Sequence, residues 1–110
     1  MPMTLTQLAK PQWQSFFERL STLLRANVVE VEVSGLGLVD KIAADWVRLA
    51  VFAYNEDNDL LEISVHGADL AIHRPAQIHV RRDESLLQSI EIVDNEGNRT
   101  FVILKTPLSV

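Results

Sequence analysis

The sequence predicts an α+β domain, with an N-terminal amphipathic helix packed on a curved, largely antiparallel sheet of five to six strands or a partly open barrel. Three observations carry this. Apolar residues between Trp13 and Leu24 recur at helical spacing, and from Val29 the period drops to two. Polar clusters at Asn55–Asp59 and Asp94–Asn98 then mark hairpin turns. One domain over 1–110 is expected, since 110 residues with 47% hydrophobic content suffice for a single core and show no linker or repeat.

Residues 1–10 are expected to be a flexible lead-in, followed by a helix over about 11–26 and a β-rich part over 28–106. Pro11 suits the first helical turn, where its missing N–H costs nothing, and Asn27 suits the left-handed end. Trp13, Phe16, Phe17, Leu20, Leu23 and Leu24 share the helix face that would pack on the sheet.

Val29, Val31 and Val33 alternate with Glu30, Glu32 and Ser34, as in a strand with one buried face. Trp46–Tyr54 reads as a second strand because Val47, Val51, Phe52 and Tyr54 favour the pleated state. Val39, Ile42, Ala43, Trp46, Leu49, Ala50 and Ala53 also fit a helical template, so a second helix stands as the alternative, and the residues before Trp46 read as a short helix or loop. Leu61, Ile63 and Val65 are the inward set of a third strand. A further strand covers Gln77–Arg82, a last hairpin joins Leu87–Val93 to Arg99–Lys105, and Pro107 is expected to stop the sheet.

The net charge of −5 is unevenly spread. Val65–Arg82 holds all three histidines, and from Leu70 to Arg82 the only charged residues are Arg74, Arg81 and Arg82. An acidic whole disfavours nucleic-acid backbones, whose binding draws on many cations. The chain has no cysteine, which removes disulfides and thiolate chemistry, and no apolar run long enough to span a bilayer. A cytoplasmic setting without membrane contact is expected.

Motif by motif, the chemistry thins out. Ser34-Gly35-Leu36-Gly37-Leu38-Val39-Asp40 is compared with a dinucleotide-binding loop and fails where Asp40 replaces the third glycine. His66, Asp69, His73 and His79 are metal-ligating residue types, but strand parity turns His66 and His79 outward and no spacing matches a two-histidine helix motif. Glu56, Asp57 and Asp59 read as a solvated turn rather than a calcium loop. Ser64 and His66 share an exposed face with no nucleophile elbow. The basic residues that remain, His73, Arg74, His79, Arg81 and Arg82, form a candidate surface for an acidic peptide, carboxylate or phosphate, unless they pair internally with Glu30, Glu32 or Glu62. Trp46, Phe52 and Tyr54 share parity and could form an apolar patch for self-association, or lie under the helix.

The helix Trp13-Gln14-Ser15-Phe16-Phe17-Glu18-Arg19-Leu20-Ser21, the strand Val29-Glu30-Val31-Glu32-Val33 leading to Gly35-Leu36, Trp46 before the hairpin, and Ile72-His73-Arg74-Pro75 together resemble a family of small bacterial domains of unknown function. The resemblance implies the fold and a bacterial cytosolic setting, and it implies no site residues. A helix followed by five strands is also similar in element order to Sm-like barrels, which form rings and bind RNA, without an Sm sequence signature.

The expectation is therefore a small non-enzymatic interaction or regulatory protein that binds a protein or an anionic ligand, with no cofactor and no catalytic residue. The alternatives are a metal-dependent enzyme using His66, Asp69, His73 and His79, or an Sm-like nucleic-acid-binding oligomer.

Overall fold

A computed structural model of the chain describes residues 3–24, 28–35, 38–66 and 68–109, the side chains of 35, 38–45 and 68 excepted. In chain order the elements are β1 (Met3–Gln7), a 3-10 turn (Lys10–Gln12), α1 (Trp13–Leu24), β2 (Val28–Gly35), β3 (Leu38–Asn55), β4 (Leu60–Val65), β5 (Ala68–His73), β6 (Pro75–Asp83), β7 (Leu86–Asp94) and β8 (Arg99–Ser109). The strands form one open antiparallel sheet in the order β1-β6-β7-β8-β2-β3-β4-β5. The α+β class holds, but the described residues form eight strands, not five to six. The Sm-like element order is lost as well, because a strand precedes the helix.

Pro11 lies in the 3-10 turn that opens α1, where no N–H is needed. Trp13 Nε1 donates to Leu8 O at 3.1 Å, and Lys10 Nζ sits 5.6 Å from the Trp13 ring. α1 buries Trp13, Phe16, Phe17, Leu20 and Leu24, while Leu23, expected on the same face, is 47% exposed. The Asn27 helix end lies outside the described residues.

The helix packs on the C-terminal half of β3. Phe17 stacks on Phe52 at 4.7 Å, Trp13 meets Tyr54 edge-on at 5.3 Å, and Ser21 Oγ donates to the Phe52 carbonyl. Each large side chain buried here contributes roughly 1.5–3 kcal/mol. The rest of the core follows from period-two alternation. Register places Val80, Ile90, Val102 and Val31 in one inward row across β6, β7, β8 and β2, all fully buried.

Several sequence expectations are corrected. Met3–Gln7, read as a lead-in, is an edge strand paired with β6 from Met3↔Asp83 to Gln7↔His79. The segment before Trp46 is strand rather than helix or loop, and Gly35 pairs with Leu38, so β2 and β3 are antiparallel neighbours rather than parts of a βαβ unit. Leu36 and Gly37 lie outside the described residues. β5 was not foreseen; it pairs with β4 from Leu60↔His73 to Val65↔Ala68. Pro107 does not end the sheet. β7 skips from Ser89↔Ile103 to Leu87↔Leu108, so the proline falls inside a bulge where no ladder N–H is required.

β3 is itself irregular at four points, three register shifts against β2 and one against β4. Val29 faces Val47 and Val31 faces Ala44, which leaves one extra residue on β3, and Trp46 there has φ 50°. Another extra residue, Ala50, lies between the Leu49↔Val65 and Val51↔Ser64 pairs. These bulges break the parity count. Phe52 and Tyr54 point into the core at 0% and 6% exposure, while Trp46 is 42% exposed. The three therefore do not form one self-association patch.

The turn at Asn55–Asp59 holds as expected. Tyr54 Oη donates to Asp59 Oδ1 at 2.7 Å, and Asp57 N donates to Asn55 Oδ1 at 3.0 Å. In the Asp94–Asn98 turn the Asp94 carboxylate accepts from the N–H groups of Glu96 and Asn98, and Gly97 takes φ 88°, which the absence of Cβ permits.

Phe17→Ala is expected to destabilise the fold by about 3–5 kcal/mol, whereas Leu5→Ala on the exposed edge strand should change it by about 0.5 kcal/mol or less. Chemical denaturation of both variants checks this assignment of core and edge. Burial first, then the hydrogen bond to Asp59 and the negative charges of Asp59 and Glu56, push the Tyr54 phenol up to about 12. Because the folded state holds this proton more tightly than the unfolded chain, stability is expected to fall as pH rises from about 10 to about 12. Tyr54 is the single tyrosine, so tyrosinate absorbance of the folded protein reads it directly, and ionisation near the ordinary value of 10.0 would refute the assignment.

Candidate functional site

The inward rows have outward counterparts, and these build the site. Register aligns Gln7, His79, Glu91, Phe101 and Glu32 across β1, β6, β7, β8 and β2. One step along the strands, Leu5, Arg81, Ser89, Ile103 and Glu30 form a parallel row. Neighbouring positions within a row are about 4.8 Å apart. The face is thus graded, basic on β6, apolar on β8 and acidic on β2.

Phe101 and Ile103 are half-buried at the centre, and at the edge Leu5 and Met3 are 67% and 54% exposed. Two depressions indent this face. One of about 540 Å³ touches Met3, Glu32, Arg81, Ser89, Phe101 and Ile103. A smaller one of about 210 Å³ touches Leu5, His79, Arg81, Glu91 and Phe101. Arg81 and Phe101 border both.

The charges fall into two kinds. Glu91 is engaged: its carboxylate meets His79 Nδ1 at 2.9 Å and Arg99 at 3.6 Å. Arg81 is not ion-paired with any carboxylate among the described residues, and its Nε donates instead to Met3 Sδ at 3.0 Å. No ion pair joins Arg81 to Glu32, which borders the same depression from three strands away. Asp83 Oδ1, beside the larger depression, is buried without a hydrogen-bond partner among the described residues.

The structure divides the basic residues named from the sequence. His79 and Arg81 sit together on the outward rows. Arg82 follows a register shift in β6 and is half-buried at the end of the strand. His73 and Arg74 lie elsewhere, at the β5–β6 junction beside Asp94, Asn95 and Glu96. Arg74 takes φ 53° there, and its carbonyl accepts from Asn95 N at 3.1 Å. The sequence reading missed Phe101, Ile103, Leu5 and Met3 as members of the face. The signal that could have found them is an apolar residue at outward parity: in Thr100-Phe101-Val102-Ile103-Leu104 every residue after Thr100 is apolar, so one of the two faces must present apolar groups outward.

His66, Asp69, His73 and His79 are not brought together. His73 faces Leu60 at one end of the β4–β5 pair, while Ala68 faces Val65 at the other end, where His66 follows. Among the described residues no group of three or more His, Cys, Asp or Glu is placed to hold a metal ion. Ser64 Oγ donates to Asp69 Oδ1 at 2.7 Å, so this serine is bound to a carboxylate rather than to an imidazole base.

An uncharacterized protein from Aquifex aeolicus (strain VF5) is 30% identical to the chain over 99 residues, covering 89% of each. No solved structure matches. The model of a family of unknown function, DUF5335, matches residues 4–110, and the chain belongs to that family.

Proposed function

We propose that the chain is a small non-enzymatic binding module whose outward rows on β1, β6, β7, β8 and β2 capture an acidic, partly apolar segment of a partner protein. The observation that carries this reading is Arg81. It is a guanidinium without a carboxylate partner among the described residues, bordering two depressions next to a half-buried Phe101. An exposed guanidinium beside a half-buried aromatic ring favours a carboxylate attached to an apolar body, because closing the apolar contact removes water from the charge-assisted hydrogen bonds.

Charge grading adds orientation. A partner with its acid over Arg81 and its apolar group over Phe101 and Ile103 would place any basic residue toward Glu32, and the reversed pose would set like charges against each other. Glu91, already bound by His79 and Arg99, does not compete strongly for Arg81.

In-cell photo-crosslinking in the native host tests this reading. A photoreactive residue at Ser89, in the middle of the outward row, is expected to yield a discrete adduct, and the same residue at Glu62 on β4 is not. Arg81→Glu, at an exposed position outside the core, should reduce the Ser89 adduct about tenfold or more. Absence of a Ser89 adduct, or an adduct that survives Arg81→Glu, would overturn the proposal.

A further inference from the structure

One irregular feature of the sheet lies away from these rows. At one of the β3 bulges, Trp46 occupies a left-handed conformation, φ 50°, that is unfavourable for a bulky side chain. The large indole is nevertheless 42% exposed there, so core packing does not account for the position. Bulges re-aim side chains, and strained backbone at an exposed aromatic is a reason to look for a ligand.

What surrounds Trp46 specifies the ligand. A depression of about 720 Å³ is lined by Trp46, Arg48 and His66 together with apolar Val47, Leu49 and Val65. His66 N donates to the Arg48 carbonyl at 3.0 Å, which fixes these two residues as neighbours on adjacent strands where the β3–β4 ladder begins. Both side chains are exposed, and neither is ion-paired with a carboxylate among the described residues. The walls thus offer one aromatic face, an aliphatic floor and two nitrogen-donor side chains, with no described acid in the lining.

We infer that the Trp46 depression is a binding site for a small planar anion, an aromatic carboxylate or sulfonate, whose ring stacks on the Trp46 indole while its acid group meets Arg48 and His66. The volume lies within the range of small-molecule sites, roughly 300–1,000 Å³. The guanidinium forks onto a carboxylate with two parallel hydrogen bonds, and the adjoining ring contact excludes water from them. A neutral ring of the same size would keep the stacking and lose the charge-assisted bonds. None of the residues involved belongs to the outward rows, so this site and the partner face stand or fall separately.

Amide and indole NMR with naphthalene sulfonate as probe, and naphthalene methanol as its neutral counterpart, tests the assignment. Saturable shifts are expected at the Trp46 indole N–H and the amides of Arg48 and His66 with the sulfonate, and affinity for the neutral alcohol should be lower by about tenfold or more. Trp46→Gly should abolish binding while keeping the fold, because glycine accepts φ 50° without steric cost; the remaining amide spectrum reports that the fold is kept. Arg48→Gln should weaken binding about tenfold, and Lys105→Gln should leave it unchanged. No saturable shift, equal affinity for the neutral probe, or full binding by Arg48→Gln would overturn the inference.

Discussion

The length of β3 is the constraint on which the rest of the fold depends. Its 18 residues, fully extended at about 3.3 Å each, would reach about 60 Å, yet the longest dimension of the molecule is 34 Å. The strand must bend, and its four register shifts, the extra residues near Trp46 and at Ala50 among them, are irregularities of the kind that bend a strand. One half then continues the β1-β6-β7-β8-β2 ladder, and the other carries β4 and β5. The bend also sets Phe52 and Tyr54 under α1, so the helix docks where the sheet changes direction.

Bending separates covered surface from open surface. The inward rows converge with α1 on one core, which contains Phe17, Phe52, Ile90 and Val102 together. Among the described residues the outward rows on the long ladder gain no such cover, and their Phe101 and Ile103 stay half-buried. Glu91 illustrates how this face remains ordered without a lid. It holds His79 from the adjacent strand and Arg99 from the other side, so three strands are tied by one carboxylate. At side-chain exposures of 16% and 19% for Glu91 and His79, that contact is less screened than an ordinary surface pair.

The elements that announced themselves in the sequence are those whose pattern reflects a single buried face. α1, β2, β4 and the two polar turns belong here, because Phe16, Phe17 and Leu20, or Leu61, Ile63 and Val65, alternate with solvent-facing groups at the proper period. β1 escaped notice for the opposite reason: Met3 and Leu5 alternate with Thr4 and Thr6 over only a few residues, and all five residues are exposed, so the short alternation marks no buried face. β5 was hidden among the histidine and arginine residues that drew attention as chemistry. In β3 the residues from Trp46 onward read correctly as strand, but a parity count carried through the bulges groups the exposed Trp46 with Phe52 and Tyr54, which lie under the helix as one of the two readings has them. The candidate surface was half readable. Parity set His79 and Arg81 outward, but their apolar companions come from β8 and β1, and only pairing register brings those strands alongside β6.

β1 carries a consequence for the life of the folded molecule. None of its side chains is buried, so it is held by its ladder to β6, the adjoining bond from Leu8 N to Ile78 O, and the Arg81–Met3 contact. Segments with so few buried contacts open at free energies well below that of global unfolding. Detachment of β1 would bare the β6 edge and remove Leu5 and Met3 from the two depressions while leaving the core intact. The N-terminal strand is therefore a local unfolding unit, and the protection of its amides against hydrogen exchange measures how complete the open face is, independently of how stable the protein is.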